Sequence, residues 1–437
     1  MITQIAIAVA SVLGLFVVTW AARRLGNAFG FGAETRRKLV HVGVGLHAIV
    51  LPFILTRDGF LIFAGLALIA LLVLRLPHFA KGGIGASLHG VERRSWGDIL
   101  FLAAMVVLFV RSAGNPALYT LPIAVLTLSD AAAALVGTEY GRRRFGRDDR
   151  IKSIEGSSAF FVVTWMIVVS ILIAATDTPR ENVIWLATLV AAFATHVEAE
   201  SWHGLDNLFV PVGIHVLMVN WGGAAPTALV AVTVVWLAML LAADHFASRL
   251  GLTGHAGRAA AVALFLTATA ADPVNAVLPI VAFVICLISR KGQALMTAEP
   301  ILDFVAALVI VGVVWLTIGA TFHLNAIAFY VATFVAIASG YMVLAVRDLD
   351  LILRLMVAVA SVAATGMLFH QLYVPMTAGM GWTPHLPLAV IACLGGVLAA
   401  GAVALRPGGW LFNAPGPRLA ALALAVLIPC YLYEVFA

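Results

Sequence analysis

A single carboxylate, Asp130, lies well inside a long apolar segment of the chain. It precedes the predicted end of its helix by about eight residues, or roughly 12 Å at 1.5 Å per residue. A charged carboxylate at such a depth costs at least about 2.5–3.5 kcal/mol unless it is paired or binds a metal ion. We therefore expect Asp130 to bind a divalent metal ion, with a structural carboxylate bonded to a neighbouring helix as the alternative.

Basic residues lead into the second apolar segment of the chain. Arg37, Lys38 and His41 share one face of a predicted helix, because residues three and four positions apart are neighbours there. An anchor at the cytoplasmic surface explains the arginine and the lysine. It does not explain His41, one turn further in, whereas a cationic face that binds a polyphosphate accounts for all three residues.

Small residues and a serine-containing loop follow Asp130. Gly137 and Gly141 let backbone approach a ligand closely, and a loop that opens a helix offers N–H groups to phosphate. A solvated basic loop explains residues 142–150 but not those that follow. The loop is not a Walker A motif, because Ile151 stands where glycine is required. The stretch that a solvated basic loop leaves unexplained is 152–157, from Lys152 to Ser157.

Further carboxylates lie between the seventh and eighth apolar segments. Glu198 and Asp206, together with Asp130, are candidate ligands for one or two metal ions, since phosphate-bound Mg²⁺ is usually held by one or two carboxylates. His196 and His203 raise zinc as an alternative. Zinc is disfavoured because no HExxH-type spacing is present.

The composition indicates which elements must position these residues. Hydrophobic residues make up 63% of the 437 positions and charged residues only 11%, whereas about a quarter of a soluble domain is charged. Continuous apolar runs of about 20 residues recur, which is typical of membrane-spanning helices rather than of barrel strands. We predict an all-α polytopic integral membrane protein with about 14–16 transmembrane helices. The net charge of +5 indicates basic membrane-flanking loops and not nucleic-acid binding.

Basic residues follow the odd-numbered apolar segments, so the loops after those segments are predicted to face the cytoplasm. All four clusters then lie at the cytoplasmic face. The alanine-rich composition and the absence of organelle signals favour a bacterial inner (plasma) membrane. The sixteen candidate spans are 4–22, 39–55, 60–76, 97–113, 119–138, 157–175, 182–197, 207–223, 226–246, 256–272, 273–290, 301–319, 323–345, 351–373, 386–405 and 417–436.

Polar residues are distributed unevenly along the chain. Charged, glycine-rich and serine-rich loops occur up to about residue 222, and the later loops are short and plain. We therefore predict a chemically equipped domain over residues 1–223 and an additional helical domain of unknown function over 224–437.

The order of these motifs resembles that of the polyprenol kinase family, which includes phytol kinases and dolichol kinases. The resemblance covers about residues 30–220. It is carried by Arg37-Lys38-x-x-His41, Asp130 with Gly137 and Gly141, Lys152-Ser153-x-Glu155-Gly156-Ser157, Glu198, and Asp206-Asn207-x-x-x-Pro211.

Membership of that family implies transfer of the γ-phosphoryl group of CTP, with Mg²⁺, to the hydroxyl of an isoprenoid or related lipid alcohol. The resemblance makes Asp130, Lys152, Glu198 and Asp206 the catalytic candidates, and the three carboxylates among them the metal ligands. The residues it implies for nucleotide binding are Arg37, Lys38, His41, Gly137, Gly141, Lys152, Ser153, Glu155, Gly156, Ser157 and Asn207.

Two other functions fit parts of the pattern. A CTP-dependent phosphatidate cytidylyltransferase has a similar loop, but its acidic, basic-flanked signature near the C-terminus is absent from this sequence. A membrane transporter suits the number of spans and their intramembrane carboxylates. Transporters usually show paired repeats with broken helices at the bilayer midplane, whereas the polar clusters here gather at one predicted face.

Overall fold

The computed structural model describes residues 2–76, 96–146, 151–202, 204–270, 273–289, 300–322, 324–377, 387–408 and 414–437. These ranges contain sixteen α-helices and one two-stranded antiparallel ladder, which confirms the all-α prediction. In the first half they are α1 (Ile2–Ala28), α2 (Ala33–Ile54), α3 (Arg57–Leu74), α4 (Gly97–Arg111), α5 (Ala117–Tyr140), β1 (Arg144–Phe145), β2 (Lys152–Ser153), α6 (Ile154–Ala175), α7 (Arg180–Glu200) and α8 (Asp206–Trp221). The later helices are α9 (Pro226–Ala247), α10 (Gly254–Ala270), α11 (Val277–Ser289), α12 (Pro300–Phe322), α13 (Ala326–Ala345), α14 (Leu351–Thr377), α15 (Leu388–Leu405) and α16 (Pro415–Phe436).

Each of the sixteen predicted spans corresponds to one of these helices. Within the described part of the chain, twelve helices are long and apolar enough to cross a membrane. The other four, α4, α8, α10 and α11, have 15, 16, 17 and 13 residues. They fall short of the roughly 20 residues that a perpendicular span requires. The protein is therefore a multi-pass membrane protein.

The chain divides into two compact units, Met1–Trp236 and Leu237–Ala437, and the division falls within α9. The first unit contains every residue singled out above as a candidate for catalysis or binding. That the function of the chain also divides near residue 223 stays a prediction.

In the first unit, α5 packs against α2, α6 and α8, while α6 also packs against α7. Helices α2 and α5 approach closely at Gly45, where a Cβ atom would collide with the side chain of Thr127. Further along the same two helices, the hydroxyl of Tyr119 donates a hydrogen bond to the carbonyl of Ala48 at 3.1 Å. The close contact fixes the start of α2 beside the second half of α5.

The second unit is built around α13, of which nearly all residues are buried. This helix packs against α11, α14, α15 and α16. Buried hydroxyls tie it to its neighbours: Thr333 accepts a hydrogen bond from the indole of Trp315 at 2.9 Å, and Ser339 and Thr365 lie 3.0 Å apart. Polar contacts of this kind hold helices together where no water competes.

Candidate active site

Asp130 is paired with the start of α2. Its Oδ2 lies 2.5 Å from Nζ of Lys38 and 3.4 Å from Nε2 of His41, which is also 3.3 Å from the carbonyl of Leu126. Only 7% of the Lys38 side chain and 14% of the Asp130 side chain are exposed. A buried carboxylate is tolerated when a hydrogen-bonded cation neutralises it, and here that cation is a lysine 92 residues earlier in the chain.

A second, partly buried ion pair joins Lys152 of β2, whose side chain is 24% exposed, to the buried Glu198 in the last turn of α7. Nζ of Lys152 lies 2.6 Å from Oε1 of Glu198 and also donates to the backbone carbonyl of the same residue. A cation at the C-terminal end of a helix is favoured by the helix dipole. Burial alone would lower the pKa of Lys152, but Glu198 and Asp206 outweigh burial and raise it. Lys152 is therefore charged at neutral pH.

The charged groups of these two ion pairs interact with one another and with Asp206 and Arg37. The charge of Lys152 interacts with those of Glu198, Asp206 and Asp130, and the guanidinium of Arg37 interacts with both aspartates. Arg37 itself forms a two-pronged contact with Glu34, at 2.6 and 3.0 Å, and 55% of its side chain is exposed. The structure thus places Arg37 at the rim of a site that combines residues from all four predicted clusters.

Ser153 organises the loop that carries Lys152. Its buried hydroxyl caps α6 by accepting the N–H of Gly156 at 3.1 Å. Glycines surround it: a Cβ atom at Gly137 would lie 3.1 Å from the hydroxyl, one at Gly141 would lie 2.9 Å from it, and one at Gly156 would lie 2.8 Å from the carbonyl of Ala133. In this structure the predicted phosphate-binding glycines let α5, β2 and α6 approach closely.

Glu155 holds the preceding loop in place. Its carboxylate accepts the backbone N–H groups of Arg142 and Arg143 at 3.1 and 3.3 Å. The ladder next to it pairs Arg144 with Ser153 and Phe145 with Lys152. The position of Lys152 is therefore determined by strand pairing, and the predicted contact of Glu155 with a nucleotide stays a prediction.

The remaining predicted residues lie around the ion pairs. Asp206 and Asn207 are half-buried in the first turn of α8. No residue that the structure describes forms a hydrogen bond or ion pair with the Asp206 side chain. The structure adds no support for the zinc alternative. Nδ1 of His196 lies 2.8 Å from the carbonyl of Ala192, and His203 lies outside the described residues.

The site matches a metal ion that arrives together with phosphate. Among the described residues, no three acidic, histidine or cysteine side chains are grouped as a ready-made metal site. Asp130 and Glu198 each have a lysine partner, whereas Asp206 does not. Oxygen donors of this kind fit Mg²⁺, which is commonly bound by one or two carboxylates while phosphate supplies further ligands. The carboxylates can therefore bind the ion once phosphate replaces them as partners of the two lysines.

Sequence reasoning missed a shallow groove beside the Lys152–Glu198 pair, formed by β1, the start of α6 and the end of α7. It has a volume of about 280 Å³ and is open on its outer side. The one available signal was that Thr195 lies three residues before Glu198 on α7 and so shares its helix face. Residues that line the groove include Phe145, Ser157, Ser158, Phe161, Val162 and Thr195.

The fold and the site define a class: a polytopic membrane protein with paired lysines and carboxylates buried among its helices. Over 223 residues the chain is 33% identical to the phytol kinase of Synechocystis sp., a match that covers 49% of this chain and 89% of that protein. No family model and no solved structure matches. The chain belongs to the polyprenol kinase family of lipid-alcohol kinases, as the motifs predicted, and about half of it extends beyond the match.

Proposed function

We propose that this protein transfers the γ-phosphoryl group of CTP to the hydroxyl of an isoprenoid alcohol, such as phytol, geranylgeraniol or a polyprenol. The reaction takes place at the cytoplasmic face of a bacterial plasma membrane. The observation that carries this proposal is the convergence of the Lys38–Asp130 and Lys152–Glu198 ion pairs from four separate elements. Kinship with a phytol kinase supports the alcohol, and the motif resemblance supports CTP.

Charge complementarity explains how such a site would bind a nucleotide. Phosphoryl transfer depends mainly on positioning and on neutralising charge spread over phosphate oxygens. Lys38 supplies a buried ammonium group and Lys152 a partly buried one. Arg37 stands at the rim with a planar fork suited to phosphate. When phosphate oxygens replace the carboxylates as partners of the lysines, Asp130 and Glu198 become available as anions.

The freed carboxylates account for the metal ion that the family implies. Asp206 and Asp130 are the residues that would hold Mg²⁺, which leaves the carboxylate of Glu198 to accept a proton. Bound there, the ion would neutralise charge on the phosphate oxygens. The residues of the chain itself orient the triphosphate and keep the buried site free of water.

Transfer requires one bond to form and one to break. The oxygen of the lipid alcohol bonds to the γ-phosphorus, the bond from that phosphorus to the bridging oxygen breaks, and CDP leaves. The hydroxyl proton passes to a carboxylate of the cluster, which acts as general base. Glu198 is suited to this role because its partner, Lys152, then contacts phosphate.

The proposal is tested with protein purified in detergent, Mg²⁺, CTP labelled in the γ-phosphate and a panel of lipid alcohols, beside an Asp130→Asn variant. Labelled lipid phosphate and CDP from the wild type, lost in the variant, are expected. ATP and GTP, tested in parallel, would overturn the choice of CTP if only they donate label. Pyrophosphate released with a phosphatidate acceptor would identify a cytidylyltransferase instead. If no nucleotide yields a product, the proposed activity is wrong.

A further inference from the structure

We propose that the groove between α6 and α7 binds the first isoprene units of the alcohol and presents its hydroxyl to the Lys152–Glu198 pair. The proposal rests on the proposed function, and it specifies how that function selects its substrate. The groove is hereafter called the α6–α7 groove.

Three elements connect the α6–α7 groove directly to the ion pair. Phe145 of β1 lines the groove and is the ladder partner of Lys152. Thr195 lines it from α7, three residues before Glu198 and therefore on the same helix face. Ser157 lines it from the first turn of α6, which begins directly after β2. Three residues along a helix span about 4.5 Å, so Thr195 lies within about one turn of Glu198 along α7.

The groove has hydroxyl groups beside Phe145 and Ile154 at the end next to β1 and β2, and it is apolar further along α6. The hydroxyl of Ser157 is buried and has no hydrogen-bond partner among the described residues. Thr195 donates its own hydroxyl proton to the carbonyl of Ala191 at 2.7 Å, so its oxygen can only accept from a ligand. Phe161 and Val162 then line the apolar stretch. An alcohol with a branched hydrocarbon tail has a hydroxyl that can donate to Thr195 and an apolar part that fits Phe161 and Val162. The hydroxyl of Ser157 has almost no accessible surface, so it bonds to the alcohol only after its side chain rotates towards the groove.

Access to the groove is from the lipid side. Helix α6 is apolar enough to cross a membrane, and Ile154 and Val162 in the groove wall are 50% and 52% exposed. A water-insoluble alcohol can therefore enter sideways from the bilayer, with its hydroxyl leading towards the ion pair. No passage through water is needed.

The size of the groove limits what it can recognise. Pockets that enclose most of a small ligand measure about 300–1,000 Å³, and this groove, at about 280 Å³, lies just below that range. It holds the end of the chain next to the hydroxyl and leaves the rest of a long isoprenoid in the bilayer. We infer that the enzyme discriminates the structure of the first isoprene units and tolerates variation in tail length.

A matched pair of tryptophan substitutions tests this. Val162→Trp fills the apolar stretch, about 12 Å along α6 from Ile154, and Val17→Trp makes the same change on α1, where the side chain is 61% exposed. For phytol and geranylgeraniol, Val162→Trp should lower kcat/KM at least about tenfold. For prenol, a single-isoprene alcohol that does not reach Val162, the change should be less than about twofold. Val17→Trp should leave both values unchanged, and equal effects of the two variants would overturn the proposal.

The hydroxyl end is tested with Ser157→Ala. This variant should raise KM for prenol and for phytol by similar factors and leave KM for CTP unchanged. A rise in KM for CTP alone would return Ser157 to the nucleotide site and would overturn its assignment to the alcohol.

A binding measurement separates the groove from the chemistry. Phytol carrying a photoreactive diazirine near its hydroxyl end is irradiated with the purified protein in the absence of nucleotide. The label should appear on the peptide that contains Phe161 and Val162, in the wild type and in Val17→Trp but not in Val162→Trp. Labelling elsewhere, or loss of label to excess phosphatidylethanolamine as readily as to phytol, would overturn the proposal. Correct labelling without phosphoryl transfer would instead leave the groove in place and refute the proposed function.

Discussion

Lys152 donates to both the side-chain carboxylate and the backbone carbonyl of Glu198. One ammonium group thus neutralises a buried anion and also donates to a carbonyl at the end of α7, which in addition accepts the backbone N–H of Ser201 at 3.4 Å. Structure and proposed chemistry therefore depend on the same pair of residues, and variants must be chosen to separate the two.

The first prediction separates them with a double variant. Glu198→Gln leaves the partly buried ammonium of Lys152 without its counter-ion. This should destabilise the protein by about 3 kcal/mol, the lower end of the range for a broken buried pair. Adding Lys152→Met removes the uncompensated charge and should restore most of the thermal stability in detergent while phosphoryl transfer stays absent.

The matched control is the exposed pair of Asp244 and Arg258 in the second unit, 2.6 Å apart. Asp244→Asn should change stability by no more than about 1 kcal/mol and leave activity intact. If the double variant is as unstable as Glu198→Gln, then the unpaired charge is not the cause of the instability.

The second prediction concerns Asp206, which has no hydrogen-bonded partner among the described residues and is half-buried. Asp206→Asn should hardly change the midpoint of thermal unfolding. It should instead raise the Mg²⁺ concentration needed for half-maximal transfer by about tenfold or more, because one of the proposed oxygen ligands loses its charge. An unchanged Mg²⁺ requirement, measured at saturating CTP and alcohol, would remove Asp206 from the proposed metal site.

The third prediction tests the close packing around Ser153. In Gly156→Ala the new methyl group would lie 2.8 Å from the backbone carbonyl of Ala133, which cannot swing away as a side chain can. We expect a loss of about 1–3 kcal/mol and a displaced Lys152, hence reduced activity.

Gly65→Ala is the control for that variant. Gly65 lies in α3 with nothing within 4 Å of its would-be Cβ atom. There alanine should be neutral or stabilising by about 0.5–1 kcal/mol. Equal effects of the two substitutions would show that helix propensity, and not the contact with Ala133, determines the outcome.

The fourth prediction follows from the raised pKa of Lys152. A lysine whose pKa is raised on folding contributes its full stabilisation below the ordinary value of 10.5, and the contribution is lost as the pH rises through the raised value. The stability difference between the wild type and the Lys152→Met, Glu198→Gln double variant should therefore be constant from about pH 7 to 10 and should shrink above that. A difference that shrinks already near pH 8 would show that the lysine is not held in its charged form.

Much of the helical framework was predictable, because a bilayer forces backbone hydrogen bonds into helices and leaves a long apolar signature. Every predicted span contains a helix. The span lengths were less accurate: helices α8 and α11 are shorter than a span requires. The start of the span predicted for α11 is a 3₁₀ turn, Pro273–Ala276, which hydropathy alone cannot distinguish from the helix that follows it.

The site was predicted as a set of residues but not as a set of contacts. The depth of Asp130 in an apolar segment indicated a partner, yet linear sequence contains no information that the partner is Lys38, 92 residues away. Gly141 and Gly156 were interpreted as places for phosphate. The structure shows them packed around Ser153, a distinction that depends on which helices meet.

The two internal ion pairs also compete with the ligands that are proposed for the site. Each lysine already has an anion and each of these carboxylates a cation, so a guest that offers only one sign of charge gains little by displacing them. Phosphate alone would leave the carboxylates without a cation, and Mg²⁺ alone would leave the lysines without an anion. A metal–nucleotide complex would supply phosphate to the lysines and a metal ion to the carboxylates at the same time. If the protein acts as proposed, the two ion pairs would therefore favour a metal–nucleotide complex over phosphate alone or Mg²⁺ alone.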